Sequence, residues 1–229
     1  MSTAKDLIIF DMDGVLVDVA ESYRAAIQAT VKSFTGEEPT REEIQGWKNK
    51  GGWNDDWRLS HRLIHERGVA AEYNDVVERF QQFFLGNGSD GLILRELWIA
   101  HNGLFPALAK RHHLAIFTGR LRAEAHLTLN RFLPGVFDPI IGADDVTNLK
   151  PDPEGLHKIC QSVTHGKCWY VGDTVDDARA SRAANIPFIG IAAAGNPRRE
   201  ELVRLLREEG AIAVLQDINS LEDAIAESR

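Results

Sequence analysis

The sequence has little cysteine, no long apolar run and fewer basic than acidic residues, and each shortage excludes a class of protein. Its 229 residues include two cysteines, Cys160 and Cys168, without the spacing of metal ligands, which favours a reduced, cytoplasmic protein. No stretch approaches the ~18 consecutive apolar residues of a membrane span, and the apolar run near the N-terminus is too short for a signal peptide. We therefore expect no membrane partner.

The charge balance excludes a second group of partners. The chain has 26 Lys+Arg against 34 Asp+Glu, a formal net charge of −8. Nucleic acid or an anionic membrane would require a basic face, so neither is expected as the main partner. A small anionic substrate in a local positive pocket remains compatible with this charge. The length suits one core with a smaller appended domain.

Short apolar runs that alternate with amphipathic helical patterns predict an α/β fold. Such runs are typical of a parallel sheet that helices cover on both faces, a Rossmann-like core of three layers. The runs are Leu7–Phe10, Leu114–Phe117, Pro139–Ile141, Cys168–Val171, Phe188–Ile191 and Ile212–Leu215.

The segment between residues 20 and 90 has a different pattern. It contains no strand-like run and four helical patterns, "ESYRAAIQATVKSF", "REEIQGW", "DDWRLSHRLIHERG" and "EYNDVVERFQQFF". Its last part, "LGNGSDG", has three glycines and predicts a hinge. We therefore predict an α/β core of residues 1–18 and 91–229, with an all-helical cap, residues 19–90, inserted after the first strand.

Chemically active side chains follow several of the predicted strands. Asp11 and Asp13 lie two positions apart after the first strand, so they project to the same side. Ligands of open parallel sheets bind at the carboxyl ends of the strands. If these strands are neighbours, one site receives three carboxylates, a hydroxyl and a lysine. These groups are Asp11, Asp13, Asp173, Thr118 and, from the segment between the last two of these strands, Lys150. Close to them in the chain are Gly119, Arg120, Asp176 and Asp177.

This set of groups suits phosphate chemistry. Hard oxygen ligands bind Mg²⁺, and a lysine with a hydroxyl and free backbone N–H groups binds phosphate. One carboxylate can attack phosphorus, and a second can transfer the proton of the leaving oxygen. A metal ion would offset the repulsion between the attacking carboxylate and the phosphate.

Four motifs together resemble the haloacid dehalogenase-like superfamily, subfamily I, with a helical cap. They are "DMDGVLVD", "TGR", "LKP" and "VGDTVDD", in that order, and the resemblance covers nearly the whole chain. The dehalogenases and the phosphonate-cleaving relatives lack the second aspartate of the first motif. Because Asp13 is present, the resemblance implies phosphate-ester chemistry.

The resemblance also implies a role for each matched position. Asp11 forms an aspartyl-phosphate, Asp13 is the general acid and base, and Lys150 bridges Asp11 and the phosphate. Thr118 and Gly119 hold the phosphoryl oxygens.

A Mg²⁺ cofactor is implied on Asp11, on the backbone carbonyl of Asp13 and on Asp173. Asp177 supports the metal, directly or through water, or orients Lys150. Arg120 is either a structural charge or a contact to substrate.

The loop "NKGGWNDDWRL" between two cap helices is the main candidate for substrate recognition. Trp53 and Trp57 are four residues apart and could form one aromatic wall, and Asn54 offers hydrogen-bonding groups. The alternative is an ordinary helix start with the tryptophans in the core of the cap. Asp18 and Arg24 are further candidates for substrate contacts near the junction of cap and core.

The most favoured function is a Mg²⁺-dependent phosphatase of a small soluble phosphomonoester, acting as a monomer or homodimer. A phosphomutase of a sugar phosphate and a binding module without turnover are the alternatives. Candidate substrates are phosphoglycolate, a sugar phosphate and histidinol phosphate. The last comes from a further resemblance, of "DGVLVDVAESYRAAI" with "GGWNDDW", to a branch in which some relatives are fused to histidine-biosynthesis enzymes.

Overall fold

A computed structural model describes residues 4–227 and confirms the predicted α/β class. Its main sheet has six parallel strands in the order β5-β4-β1-β6-β7-β8. Their bounds are β1 Asp6–Phe10, β4 His112–Phe117, β5 Ile140–Ile141, β6 Cys168–Gly172, β7 Phe188–Ile191 and β8 Ala213–Leu215. The first strand along the chain therefore lies in the middle of the sheet, between β4 and β6.

Helices cover both faces of this sheet. Alternate residues of β1 enter opposite cores, Ile8 and Phe10 on one face and Leu7 and Ile9 on the other. Helices α5, α6 and α10 pack in the first core, and α7, α8 and α9 pack in the second. The bounds are α5 Leu104–Arg111, α6 Arg122–Phe132, α7 Glu154–Ser162, α8 Val175–Ala183, α9 Arg199–Glu208 and α10 Leu221–Glu227. This arrangement is the predicted three-layer core.

Four helices follow β1 and precede the rest of the sheet, as the helical patterns predict. They are α1 Tyr23–Thr35, α2 Arg41–Lys50, α3 Asp56–Glu66 and α4 Tyr73–Phe84. Helix α2 runs three residues beyond the predicted "REEIQGW" and ends at Gly51, whose φ of 77° suits glycine. The extension buries Lys48 and Asn49. The loop before α3 is therefore shorter than predicted, because its first two residues are helical.

A two-stranded antiparallel sheet, absent from our predictions, connects the two parts of the chain. Val17–Asp18 forms β2 and Leu97–Trp98 forms β3. Strands of two residues are too short to produce an alternating pattern, so the sequence gives no signal for them. The pairing of β2 with β3 places the two segments that connect the core to the four inserted helices side by side.

Over residues 4–227, no helix has the length and apolar character that a membrane crossing requires. Cys160 and Cys168 are free and partly buried against the second core.

Candidate active site

The predicted site residues meet at the carboxyl end of the sheet. Asp11 and Asp13 follow β1, Thr118 follows β4 and Asp173 follows β6, and these three strands are neighbours. Lys150 joins them from the loop before α7. All five line a single cavity of about 260 Å³. That volume lies just below the usual range for small-molecule sites, which favours a small ligand.

Gly14 allows the loops after β1 and β6 to approach each other. Its φ is +72°, and a Cβ at this position would lie 2.1 Å from Oδ2 of Asp173. A side chain here would therefore displace Asp173 as well as strain the backbone. The glycine after Asp13 is thus required by the site as much as by the turn.

Asp11 is a buried carboxylate with one strong partner. Its side chain is 4% exposed, and its Oδ1 lies 3.0 Å from Nζ of Lys150. Burial raises the pKa of Asp11 to about 7, although the Lys150 charge opposes that rise. Ionisation of Asp11 is therefore costly without a ligand, and a bound cation would stabilise the ionised form.

Asp177 holds Lys150 in place. Its Oδ1 lies 2.7 Å from Nζ of Lys150 and accepts a hydrogen bond of 2.6 Å from the Tyr170 hydroxyl. Its Oδ2 accepts from the backbone N–H and the hydroxyl of Thr174. Burial alone would raise the pKa of Asp177, but the Lys150 charge and these hydrogen bonds hold it below its ordinary value.

Of the two alternatives for Asp177, this geometry favours the orientation of Lys150. Both carboxylate oxygens already have donors, whereas a metal ligand needs a free lone pair. The Tyr170 hydroxyl is a contributor that sequence reasoning missed. Its position in a buried strand resembles ordinary core packing, so only the fold reveals the contact.

Two of three clustered carboxylates could hold a metal ion, because the third, Asp177, already has two donors on each oxygen. Ligand atoms of Asp11, Asp173 and Asp177 lie within 4.8 Å of one another. Oδ1 of Asp173 is buried and has no hydrogen-bond partner within the part of the chain that the structure describes. Burial, with the charges of Asp11 and Asp177, raises the pKa of Asp173 well above its ordinary value. An orphaned buried carboxylate oxygen beside a second carboxylate fits a hard cation.

Thr118 and Gly119 follow β4 and line the cavity. Thr118 is buried, and its hydroxyl accepts a hydrogen bond from the backbone N–H of Arg120 at 3.2 Å. A Cβ on Gly119 would lie 3.0 Å from Nδ2 of Asn54 in the cap. Core and cap therefore come close at this point of the cavity, and both Gly119 and Asn54 line it.

Arg120 has protein partners rather than a free guanidinium. Its Nε and Nη2 lie 2.7 and 2.5 Å from Oδ1 of Asp13, and its Nη2 also lies 2.7 Å from Oε1 of Glu96. Its Nη1 donates to the Thr128 hydroxyl at 2.7 Å. The side chain is fully buried. Of the two predicted roles, these contacts favour the structural one, although Arg120 also lines the cavity.

Asp13 is held by one oxygen and faces the cavity. Both Arg120 contacts go to Oδ1, and the Asp13 side chain is 25% exposed. Asp13 shares the cavity lining with Asp11. The arrangement fixes the carboxylate while leaving it accessible for proton transfer.

A buried glutamate links two cap helices to the core. Glu124 of α6 accepts hydrogen bonds of 2.8 Å from the hydroxyl of Tyr23 in α1 and from Nε2 of Gln81 in α4. Neither contact is visible in the sequence, because the three residues are far apart in the chain. They fix the side of the cap that borders the cavity.

Asp176 receives the cap loop. Both of its carboxylate oxygens accept from the backbone N–H of Gly52, at 2.8 and 2.9 Å. Burial raises the pKa of Asp176. Its role in the structure is therefore to dock the loop between α2 and α3 onto the core.

The structure places two predicted substrate contacts outside the cavity lining. Trp53 packs edge-to-face on Trp47 at 4.9 Å between ring centroids and lies outside the cavity lining, whereas Trp57 does line it. The two tryptophans therefore do not form one wall. Asp18 is exposed on β2, accepts from the backbone N–H of Ala20, and also lies outside the lining. Its place in the small antiparallel sheet directs it away from the site.

Comparison with known sequences finds a family model and relatives that match most of the chain. The family model of the haloacid dehalogenase-like hydrolases matches residues 5–185. An imidazoleglycerol-phosphate dehydratase from Phytophthora nicotianae is 32% identical over 201 residues, 83% of this chain and 44% of that protein. The chain thus spans less than half the length of this relative. A phosphoglycolate phosphatase from Colwellia psychrerythraea is 25% identical over 82% of this chain and 84% of its own length.

Comparison with solved structures supports the fold. A haloacid dehalogenase-like protein of unknown function from Agrobacterium tumefaciens superposes with a TM-score of 0.73 at 23% identity. The match covers 98% of this chain and 99% of that one, so it includes the four inserted helices as well as the sheet. The chain belongs to the haloacid dehalogenase-like hydrolase family.

Proposed function

We propose that the chain is a Mg²⁺-dependent phosphatase of a small phosphomonoester. The observation that carries this proposal is the arrangement of Asp11, Asp13 and Lys150 around one small cavity. Lys150 lies 3.0 Å from Asp11, and Arg120 holds Asp13 by a single oxygen. Phosphatases among the relatives support the same reaction class.

The reaction proceeds in two transfers. A carboxylate oxygen of Asp11 attacks phosphorus, the bond between phosphorus and the leaving oxygen breaks, and Asp13 gives that oxygen its proton. Asp13 then accepts a proton from water, whose oxygen attacks phosphorus in the aspartyl-phosphate. The bond between phosphorus and the Asp11 oxygen breaks, which releases inorganic phosphate and restores the Asp11 carboxylate. Lys150 stabilises the negative charge that develops on the phosphoryl oxygens.

Asp11 and Asp173 are the residues that would hold the metal. A bound Mg²⁺ supplies charge neutralisation for the meeting of a carboxylate and a phosphate. Thr118 and Gly119 line the same cavity and are proposed to bind the phosphoryl oxygens. The docked cap excludes water from the first transfer and has to open for exchange of substrate and product.

The Asp173→Asn variant tests the metal site without an activity assay. Mg²⁺ should raise the unfolding temperature of the wild type and leave that of the variant unchanged. Without metal, the variant should unfold at a higher temperature than the wild type. The difference should be about 2–4 °C for each kcal/mol of relieved charge repulsion. The sign follows from the raised pKa of Asp173, because burying the ionised carboxylate destabilises the folded state.

The matched control for this measurement is Asp176→Asn. Asp176 is a buried aspartate close to Asp173 in the chain. It lies in the first turn of α8, and its carboxylate binds the cap loop. Its variant should keep the full response to Mg²⁺. Equal responses of wild type and Asp173→Asn would contradict the proposed ligand.

A panel of phosphomonoesters, with released phosphate as the readout, tests the reaction itself. We expect hydrolysis of p-nitrophenyl phosphate and faster hydrolysis of one small ester, abolished when the metal is chelated. Phosphoglycolate, sugar phosphates and histidinol phosphate belong in the panel, since two relatives carry phosphoglycolate and an imidazole-bearing phosphate in their names. Transfer of labelled phosphate to a second sugar hydroxyl, instead of to solution, would identify a phosphomutase.

A further inference from the structure

Arg24, on the first turn of α1, is a largely buried arginine whose side chain makes few interactions with the rest of the described chain. Its side chain is 17% exposed and lines the cavity from the cap side. Its single ion pair within residues 4–227 is with Oδ1 of Asp56, at 3.9 Å, which is too long for a hydrogen bond. The structure gives this guanidinium no hydrogen bond in the described chain.

Arg120 shows how the same protein treats a buried guanidinium that has a structural role. Each of its nitrogens meets an acceptor, Asp13, Glu96 or Thr128, within 2.7 Å. A guanidinium has five donors in a planar fork, and those of Arg24 remain available to a ligand in the cavity that it lines. Arg24 therefore fits a ligand-binding role better than a structural one.

The charges of the cap residues that line the cavity do not cancel. Lys48 is buried and lies 2.6 Å from Asp56, so these two neutralise each other. Asp55, which accepts from two backbone N–H groups at the start of α3, and the exposed Arg58 contribute one negative and one positive charge. Arg24 remains as one surplus positive charge on the cap side of the cavity.

This surplus charge lines the same cavity as Asp173, a proposed metal ligand, and Asp11, the proposed nucleophile. A molecule whose phosphoryl group lies among Asp11, Thr118 and Lys150 would extend its leaving group toward the cap.

We propose that the leaving group of the substrate carries a carboxylate, which Arg24 binds with two parallel hydrogen bonds. The inference rests on the proposed phosphatase function and names its substrate class. A carboxylate matches the planar guanidinium fork and the single surplus charge. A second phosphate would bring up to two negative charges to a cap surface that offers one, and the cavity of about 260 Å³ favours the smaller group.

The test is a series of esters with one two-carbon skeleton and different charges. The substrates are 2-phosphoglycolate, 2-hydroxyethyl phosphate, phosphoethanolamine and ethylene glycol bisphosphate. For the wild type we expect kcat/KM to be highest for the carboxylate, about 10- to 100-fold above the neutral ester, as for one charge-assisted hydrogen-bonded pair. The ammonium ester should be the poorest.

The Arg24→Gln variant should bring the ratio of kcat/KM between the carboxylate and the neutral ester to within about threefold of one. Arg24→Lys should restore part of the ratio, because it keeps the charge without the planar fork. Arg58→Gln is the matched control, an exposed arginine of the same cavity, and should keep most of the ratio. Using a ratio cancels any loss of folded protein in a variant.

The outcomes separate the two proposals. Hydrolysis of none of the esters overturns the phosphatase, and the carboxylate subsite with it. Hydrolysis by the wild type with a ratio near one, a preference for the neutral, ammonium or bisphosphate ester, or a ratio that depends on Arg58 and not on Arg24 overturns the subsite alone.

Discussion

The Asp11→Asn variant is expected to fold like the wild type and to lose about four to six orders of magnitude in turnover, as expected when a nucleophile is removed. The amide oxygen of asparagine carries no charge with which to attack phosphorus. Folding should survive, because burial already disfavours the ionised carboxylate and raises the pKa of Asp11 to about 7. Lys150 would keep Asp177 as its partner at 2.7 Å.

Two measurements check this expectation. Released phosphate gives the turnover, and the mass of acid-quenched enzyme shows whether a phosphoryl group has become attached to the protein. The wild type should carry that group during turnover, and the variant should not. Asp144→Asn is the control, since Asp144 lines the same cavity but accepts a hydrogen bond from the backbone N–H of Arg122. Its turnover should change by less than about tenfold. A phosphorylated Asp11→Asn protein would sink the mechanism.

The sequence was sufficient to predict the position of the site, because its residues follow strands. Asp11, Thr118 and Asp173 come directly after apolar runs, and parallel strands bring their carboxyl ends to one edge. The helical insertion was equally visible from the 3.6-residue periodicity of α1 to α4. Both predictions depend on local patterns. The catalytic and metal-binding roles of these residues stay predictions.

The contacts that fix the site could not be predicted, because they join residues far apart in the chain. Glu96 meets Arg120 from the segment beside β3, and Glu124 meets Tyr23 and Gln81 from the cap. No local pattern marks a glutamate as buried and paired. The choice between Trp53 and Trp57 depended likewise on where α2 ends and α3 begins. A shift of a few residues at a helix end decides which ring faces the cavity.

Arg120→Met should be the most destabilising single change among the charged residues discussed, costing about 3–5 kcal/mol of unfolding free energy. The guanidinium is fully buried and touches Asp13, Glu96 and Thr128. Its removal leaves the Glu96 carboxylate buried, with Arg131 at 3.3 Å as the remaining cation. The unfolding temperature of the metal-free protein should fall by about 6–20 °C.

Arg122→Met is the matched control, because it also removes an arginine that pairs with an aspartate. Arg122 is 51% exposed and lies 3.1 Å from Asp145, so its loss should change the free energy of unfolding by less than about 1 kcal/mol. Adding Glu96→Gln to Arg120→Met should recover part of the lost stability, because the uncompensated buried charge is then gone and Asp13 can be hydrated from the cavity. If Arg120→Met were as mild as Arg122→Met, or if Glu96→Gln only lowered the stability further, the buried ion pairs of Arg120 would not account for the stability of this region.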